Sequence, residues 1–432
     1  MEMKKGFWQG LLTGLIIAVF GVALYFGLKV LIDGNKDPKD KAKAQIEAEA
    51  NARRENKTGG SVSEDASSVN DGSYVLEDED VIKKTMDLQD VINELYIEDV
   101  SNEDIANGIY DGIMKSLDDP YAAYYTPEEF QEMQQDTEGI YFGIGCYLMK
   151  DQTYLYPRIT GIMDNSPASE SEIKVDDFIT EVNGEDVYDQ DLSDVVKKIK
   201  GPEGTTVNLT LVRKDSGEEI NIDIERRKVE TPTVKYEIID DEIGYIKINE
   251  FDDITVDQFT DALATVKGSD VKGLIIDLRG NPGGSLAAVV NIAGQILPKG
   301  VVVYTEDKYG NRTDYNSEGK TPLDIPLVVL VNGNSASASE ILAGAVKDYK
   351  IGTIMGTTTY GKGIVQRVLS LQDGSAVKLT VSHYYTPNGN DIHKVGIEPD
   401  VVVELDVDAY LEDENNDNQK EEAIKYIKDQ ID

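Results

Sequence analysis

The sequence is poor in cysteine and histidine, and both shortages limit the chemistry that it can carry. The single cysteine, Cys146, cannot form an intramolecular disulfide or a cysteine-rich zinc site. The two histidines, His383 and His393, are too few for a histidine-based metal cluster and leave few ways to build a Ser-His-Asp triad. We therefore expect any catalysis by this chain to proceed without imidazole.

Basic side chains are also scarce: 42 lysines and arginines stand against 81 aspartates and glutamates, a formal net charge of −39 at pH 7. Nucleic acid is excluded as a partner, because so acidic a chain repels its phosphates. Hydrophobic residues make up 40% of the chain and tyrosines number 23, so a packed core is expected and wholesale disorder is excluded. A chain of 432 residues has room for two or three domains.

Charge is absent from residues 6–28, which read GFWQGLLTGLIIAVFGVALYFGL. At ~1.5 Å per residue this run can span a hydrocarbon core of ~30 Å. It is longer than the ~7–15 apolar residues of a cleavable signal peptide and no A-x-A site follows it, so a signal anchor is favoured. Lysines follow the span, but long domains translocate largely regardless of charge. The sequence predicts a single-pass protein of the cell membrane, with most of the chain extracytoplasmic.

Composition and periodicity divide the chain into six segments. Short strands with one helix precede a longer region in which strands and helices alternate, and this alternation predicts an α/β core. The segments are a cytoplasmic tail and membrane helix (1–32), a flexible linker (33–75), a helical region (76–136), a small strand-rich domain (137–229), the α/β core (230–404) and an acidic tail with a helix (405–432). Asp413–Asp417 fails the EF-hand pattern, since Asn418 replaces the turn glycine, and is interpreted as a solvated acidic loop.

Three serines stand where an apolar strand turns into a helix, in VNGNSASASE at 331–340. The structural interpretation is a capping box, in which Ser337 and Glu340 satisfy free backbone N–H groups. The functional interpretation uses the same geometry, since a serine at such a turn is held beside amides that can stabilise an oxyanion. This is the arrangement of a nucleophile elbow, although the G-x-S-x-G spelling is absent.

A nucleophilic serine needs a base, and with two histidines in the chain a lysine is the obvious candidate. Lys362 lies between Gly361 and Gly363, where a closely approaching backbone can bury an amine. Burial must lower the pKa of that amine from ~10.4 to roughly 7–8 before it can accept a proton. The alternative is an ordinary exposed loop lysine, and His383 and His393 are interpreted as structural.

A glycine-rich loop, DLRGNPGGS at 277–285, opens from a short apolar strand into another helix. Neither G-x-G-x-x-G nor a P-loop is present, so phosphate binding is only weakly indicated. Paired glycines at a helix N-terminus suit an oxyanion donor equally well.

Over roughly residues 77–403, the chain resembles the carboxyl-terminal processing peptidases, also called tail-specific proteases. The resemblance rests on six motifs in order: LDDPYAAYYTPEEF (117–130), DLRGNPGGS (277–285), SASASEILAGA (335–345), GKGIVQ (361–366), YTPNG (385–389) and GIEPD (396–400). It implies a crotonase-like α/β protease core with an inserted PDZ domain, and a serine endopeptidase that needs no metal or organic cofactor.

The resemblance also implies roles for individual residues. Ser337 would be the nucleophile, Lys362 the base and Gln366 the residue that orients the lysine. The oxyanion hole would be formed by backbone N–H groups of Ala338 and of Gly283 or Gly284. Asp348 and Glu340 are weaker supporting candidates. Asp348 lies eleven helical residues, ~16 Å along the axis, from the nucleophile.

The strand-rich domain is similar to the family's PDZ domain. Its carboxylate-binding loop would be YFGIG, which is Tyr141, Phe142, Gly143, Ile144 and Gly145. Backbone N–H groups there would receive the C-terminal carboxylate of a protein or peptide substrate, which would add as a strand to the sheet edge. Asp176-Asp177 departs from the usual Gly-Asp before the next strand.

The sequence therefore predicts a membrane-anchored serine endopeptidase that recognises substrate C-termini, with its catalytic part outside the cytoplasm. One alternative is a non-catalytic PDZ scaffold at the cell surface, and another is an acyl-CoA enzyme of crotonase type. A homodimer through the helical region or the tail is a further expectation.

Overall fold

The computed structural model of this protein describes residues 78–431. The predicted membrane span at 6–28 and the linker at 33–75 lie outside the described residues. Among helices within 78–431, none is both long and apolar enough to cross a membrane. The described residues fall into two compact units, 78–124 and 125–431.

The first unit contains two helices, α1 (Glu79–Leu95) and α2 (Asn102–Lys115). Asp78 caps α1 and accepts a hydrogen bond from the Asp80 N–H at 2.9 Å. A capping box of Ser101 and Asp104 begins α2. Neither helix buries a residue, and apolar side chains such as Met86 and Leu95 are exposed. The helical region expected from the sequence is therefore present, with its apolar side chains at the surface.

Strand β1 (Ala123–Tyr125) ends at the first residue of the second unit, Tyr125. The first helix of this unit is α3 (Pro127–Glu138). Thr126 caps this helix and Gly139 ends it in the left-handed conformation, at φ +70°. The small domain that follows has a six-stranded antiparallel sheet in the order β3-β4-β5-β7-β8, in which β6 pairs with β5, and a separate pair, β2 with β9. Its elements are β2 (Ile140–Gly143), β3 (Cys146–Lys150), β4 (Pro157–Ile162), β5 (Phe178–Val182), β6 (Glu185–Asp186), α4 (Leu192–Ile199), β7 (Thr206–Val212), β8 (Glu219–Glu225) and β9 (Arg227–Glu230).

The larger domain is built on a six-stranded sheet in the order β10-β11-β12-β15-β16-β19. Only the β10–β11 pair is antiparallel, and the other neighbours are parallel, as strand-helix alternation predicts. The elements are β10 (Val234–Ile239), β11 (Ile243–Ile248), α5 (Thr255–Gly268), β12 (Gly273–Asp277), α6 (Leu286–Ala293), β13 (Gly300–Asp307), β14 (Arg312–Ser317), β15 (Leu327–Val331), α7 (Ala338–Tyr349), β16 (Thr353–Gly356), β17 (Ile364–Ser370), β18 (Ala376–Tyr385), β19 (Val401–Val402), α8 (Val407–Glu412) and α9 (Asn418–Ile431).

Helices cover both faces of this sheet. Helices α5, α6 and α7 pack into one apolar core with strands β11, β12 and β15. On the opposite face α9 buries Ala423 and Ile427 against Ile275 and Val328. Strands β12 and β15 are buried along their whole length, which explains their continuous apolar sequences.

The interpretation of Asp413–Asp417 as a solvated loop is wrong at Asp417. This carboxylate is buried and accepts hydrogen bonds from both terminal nitrogens of Arg279, at 2.8 and 2.7 Å. Arg279 also pairs with the fully buried Asp277, at 2.6 Å. The acidic tail is thus joined to the start of the glycine-rich loop, because a buried guanidinium needs carboxylate partners.

Replacing Ile427 by alanine should lower the free energy of unfolding of the second unit by roughly 2–5 kcal/mol. The side chain is 0% exposed and its γ carbon lies where Gly273 leaves room for it. Urea unfolding, followed by far-ultraviolet circular dichroism, measures the change. Leu411→Ala, at a side chain 76% exposed, is the matched control and should change stability by less than about 0.5 kcal/mol. Equal effects of the two substitutions would contradict the docking of α9.

Candidate active site

The turn between β15 and α7 holds Ser337 in an uncommon backbone conformation. Its φ is +54° and its ψ is −114°, and it stands immediately before the first residue of the helix. Non-glycine residues with such angles cost about 1–3 kcal/mol and cluster at functional sites. The strand-turn-helix geometry expected of a nucleophile elbow is therefore present.

The other two serines of the turn are structural. Ser335 is buried and its hydroxyl donates to the Leu278 carbonyl oxygen at 2.8 Å. Ser339 is buried and its hydroxyl donates to the Asn281 carbonyl oxygen at 3.0 Å. Ser337 is only half-buried. The turn is thus fastened to the glycine-rich loop by the serines on either side of the candidate nucleophile.

Glu340 connects the Ser337 turn to the lysine loop. Its fully buried carboxylate accepts four hydrogen bonds: from Thr359 Oγ1 (2.6 Å), Gly361 N–H (2.7 Å), Ser337 N–H (2.9 Å) and Lys362 N–H (2.9 Å). Burial raises the pKa of Glu340, and these hydrogen bonds oppose the rise. Glu340 makes its half of the predicted capping box through the Ser337 N–H, while its own N–H donates to the Ser337 carbonyl oxygen at 2.9 Å. The same carboxylate extends to a second loop.

The main chains of Ser337 and Lys362 therefore meet at one atom. Both N–H groups donate to Glu340 Oε2, so the two nitrogens lie within two hydrogen-bond lengths of each other. The half-buried Lys362 is flanked by glycines that leave no room for a side chain. A Cβ at Gly361 would lie 3.0 Å from the Val395 nitrogen, and one at Gly363 would lie 2.6 Å from the His393 nitrogen. This is the close backbone approach expected around Lys362.

The glycine-rich loop packs directly against the turn. Gly283 has φ +110°, and a Cβ there would lie 2.7 Å from the Ala336 carbonyl oxygen and from Ser337 Cβ. Its N–H is already engaged, because it donates to Asn281 Oδ1 at 2.8 Å. Between residues 78 and 431, no hydrogen bond joins the N–H of Gly284 or of Ala338 to a protein acceptor. Of the two glycines left open by the sequence, Gly284 has the available amide.

Asn281 is a residue of this site that sequence reasoning missed. Its side-chain nitrogen donates to the Ile248 carbonyl oxygen at 2.9 Å, and its own carbonyl oxygen accepts from the Ala336 N–H at 3.1 Å. It is fully buried. The signal in the sequence was a polar residue between Gly280 and Pro282, which resembles an ordinary turn.

The remaining candidates have identifiable surroundings. Gln366 is buried on β17, and its Nε2 donates to Thr380 Oγ1 at 3.2 Å. Asp348 accepts a hydrogen bond from the Asn388 N–H at 2.8 Å and so fastens the YTPNG loop. The rings of His383 and His393 pack edge to face with centroids 5.5 Å apart. Burial, followed by the neighbouring imidazole, lowers the pKa of His393.

A groove of about 180 Å³ lies beside the YFGIG loop of the small domain. It is lined by Tyr141, the residues from Gly143 to Leu148, Val196, Ile199 and Lys200. Strand β3 is the last strand on this side of its sheet, so a peptide can pair with it. The Lys200 ammonium lies 4.9 Å from the centroid of the Tyr141 ring, which places a positive charge at the groove. Arg158 binds Asp176 at 2.7 Å, so the departure at Asp176-Asp177 is accommodated.

Comparison with known proteins agrees with these two domains. The family model for peptidase family S41 matches residues 242–403, that for the PDZ domain matches 158–213, and that for the activating protease CtpB N-terminal domain matches 18–129. A probable CtpA-like serine protease of Staphylococcus saprophyticus is 35% identical over 75% of this chain and 66% of its own length. One from Staphylococcus aureus is 35% identical over 75% and 65%.

Among solved structures, a photosystem II D1 C-terminal processing protease is 30% identical, over 74% of this chain and 86% of that one, with a TM-score of 0.44. The family models and the Staphylococcus relatives show that the chain belongs to peptidase family S41, the carboxyl-terminal processing peptidases, and carries a PDZ domain. The predicted family is confirmed, and the predicted class, a serine-type peptidase, is confirmed at the level of this family. The chain spans about two thirds of the length of the curated relatives it matches.

Replacing Glu340 by glutamine should lower kcat by about 10²-fold with little change in KM. The amide can accept at one position only, so its NH2 group must face either the Ser337 and Lys362 N–H groups or the Thr359 and Gly361 pair. Steady-state hydrolysis of a peptide measures the change. The exposed Glu318→Gln is the control, and a Glu340→Gln protein as active as that control would contradict the positioning role.

Proposed function

We propose that this chain is a membrane-anchored serine endopeptidase that binds substrate C-termini through its PDZ domain and cleaves by a Ser-Lys mechanism. The observation that carries the proposal is the shared carboxylate of Glu340, which holds the main chains of Ser337 and Lys362 together. With two histidines that pack on each other, the lysine is the base that the site can offer.

In the proposed mechanism, Ser337 Oγ attacks the carbonyl carbon of the scissile bond while neutral Lys362 Nζ accepts the hydroxyl proton. The negative charge that develops on the carbonyl oxygen is stabilised by the N–H groups of Gly284 and Ala338. The protonated lysine then gives its proton to the leaving amine, and an acyl-enzyme ester remains on Ser337. Water attacks this ester with Lys362 as the base, and the acid product leaves. Gln366 is assigned the orientation of the lysine.

Substrate recognition is assigned to the groove beside the YFGIG loop. A substrate C-terminus would pair with β3, and its carboxylate would lie near the backbone of Tyr141, Phe142, Gly143, Ile144 and Gly145. The Lys200 ammonium adds a favourable charge for that carboxylate. The same groove suits a non-catalytic PDZ scaffold, and the activity test below separates the two.

Ser337→Ala and Lys362→Ala should each lower peptide hydrolysis by at least about 10³-fold while leaving the fold intact, because the proton transfer needs both groups. Incubation of the purified protein with unfolded proteins, followed by mapping of new termini, measures cleavage. The exposed substitutions Ser370→Ala and Lys308→Ala are matched controls. Retained turnover in either active-site variant would defeat the assignment, and binding of C-terminal peptides without any cleavage by the unaltered protein would favour the scaffold.

We also propose that residues 6–28 anchor the protein in the cell membrane with the catalytic part outside the cytoplasm, because their sequence carries no charge.

A homodimer through α1 and α2 is proposed because neither helix buries a residue. Sedimentation of the purified chain measures that association, and a monomer at all concentrations would contradict it.

A cysteine introduced at the exposed turn residue Ser216 should react with a membrane-impermeant maleimide in intact cells. The native Cys146 is a suitable silent background, because burial raises its pKa to about 12 and leaves little thiolate. The unaltered protein is the control and should remain unlabelled. Labelling of the Ser216→Cys protein only after lysis would place the domain in the cytoplasm.

A further inference from the structure

The two linkers of the PDZ domain converge on one short segment of the larger domain, residues 250–258. On entry, the Asp253 N–H donates to the Thr137 carbonyl oxygen at 3.0 Å. On exit, Gln258 Nε2 donates to the Thr231 carbonyl oxygen at 2.8 Å. The linkers also contact each other, since the Thr231 N–H donates to the Gly139 carbonyl oxygen at 2.9 Å. Both linkers of the PDZ domain are thus hydrogen-bonded to this segment, and to each other.

The same segment holds the glycine-rich loop of the active site. The Phe251 N–H donates to the Gly283 carbonyl oxygen at 2.8 Å, and the Ser285 N–H donates to the Phe251 carbonyl oxygen at 2.6 Å. A Cβ at Gly284 would lie 2.3 Å from that Phe251 oxygen. Phe251 thus fixes the position of Gly284, whose N–H is the proposed oxyanion donor.

Between these two contacts lies a cluster of carboxyl groups formed by Asp136, Glu250, Asp252 and Asp253. Asp252 is 3% exposed, and its Oδ1 is buried without a hydrogen-bond partner. Its side chain presses on the entry linker, since a Cβ at Gly139 would lie 2.8 Å from Asp252 Cβ and 2.9 Å from Oδ2. A buried carboxyl group without a partner is strongly disfavoured as an anion.

Burial raises the pKa of Asp252 to about 8 and that of Glu250 to about 7, and neighbouring carboxylates add to both shifts. The charged groups that face the cluster are Glu132 of α3 and Lys200 after α4, both of which act on Asp136. Asp253 is hydrogen-bonded to the Ser285 side chain. In the described part of the chain no group of three or more acidic, histidine or cysteine side chains is arranged to hold a metal ion. Proton uptake removes the buried charge of such carboxyl groups.

We propose that Asp252 and Glu250 are positioning residues for the oxyanion loop, and that proton uptake by their carboxyl groups holds this loop and the PDZ linkers together. The proposal rests on the peptidase function proposed above. In the neutral form, Asp252 packs between Gly139 and Phe251. On ionisation, repulsion among the carboxylates and the demand for water move the Asp252 side chain outward, and Gly139 and Phe251 lose their common support.

The direction of the pH dependence follows from linkage. A carboxyl group whose pKa is raised by folding destabilises the folded arrangement increasingly as pH rises from about 4 toward its folded value. Glu250 and Asp252 are therefore mostly neutral below about pH 7, and both are ionised above about pH 8. Loss of protons by the lysine base should produce the acid limb of the activity profile, and ionisation of the cluster should produce an alkaline limb in kcat.

The test compares the full chain in detergent with its Asp252→Asn and Glu250→Gln variants, which carry permanently neutral side chains. The kcat of the unaltered protein should fall between about pH 7 and pH 9, and at the upper end at least one variant should exceed it by about threefold or more. KM should change less than kcat, because the groove that binds the substrate C-terminus does not contain the oxyanion donors, which act in the chemical step. Asp241→Asn, at an exposed turn, is the matched control and should reproduce the unaltered profile. An alkaline limb that persists in both neutral variants would overturn the proposal.

Hydrogen exchange separates failure of this proposal from failure of the peptidase assignment. After correction for the intrinsic rate, the amides of Phe251, Asp253 and Ser285 should lose protection on going from about pH 6 to pH 9 in the unaltered protein. They should keep it in Asp252→Asn. Protection that is independent of pH in the unaltered protein, or lost equally in the variants, would overturn the proposal even where no hydrolysis can be measured.

Discussion

The candidate active site depends on one buried carboxylate. Glu340 is fully buried and accepts from a hydroxyl and three main-chain N–H groups, and these donors come from the turn before α7 and from the loop before β17. A buried carboxylate is stable only when such donors surround it, so each loop fixes the position of the other. Ser337 holds its uncommon backbone conformation with its N–H directed at Glu340 Oε2.

Around that carboxylate, hydrogen bonds between loops set the remaining geometry. Asn281 links the glycine-rich loop to the serine turn, and the main chain of Phe251 is hydrogen-bonded to Gly283 and Ser285 of the same loop. Arg279, held between Asp277 and Asp417, fixes the point where the loop leaves its strand. The loop that carries the proposed oxyanion donor is therefore held at its start, along its length and at its end, as preorganised electrostatic stabilisation requires.

Local sequence patterns predicted local structure well, but contacts between residues far apart in the sequence could not be predicted. The strand, turn and helix around Ser337 could be predicted because apolar runs, turn residues and a capping signal lie within 20 residues of sequence. The Asp417–Arg279 pair joins residues 138 positions apart, so an acidic run resembled a solvated loop. Gly283 and Gly284 could not be separated, because the acceptor that engages Gly283 N–H is a side chain whose direction the sequence does not show. The family resemblance added the pairing of Ser337 with Lys362, which spacing alone does not give.

The most direct test of the account is the site and pH dependence of labelling by a serine-directed acylating probe. The account predicts one adduct, mapped by mass spectrometry to Ser337, that forms faster with rising pH along the acid limb of the activity profile and is lost in Lys362→Ala. Labelling of Ser337 at an unchanged rate in Lys362→Ala, or labelling of another serine in its place, would contradict it.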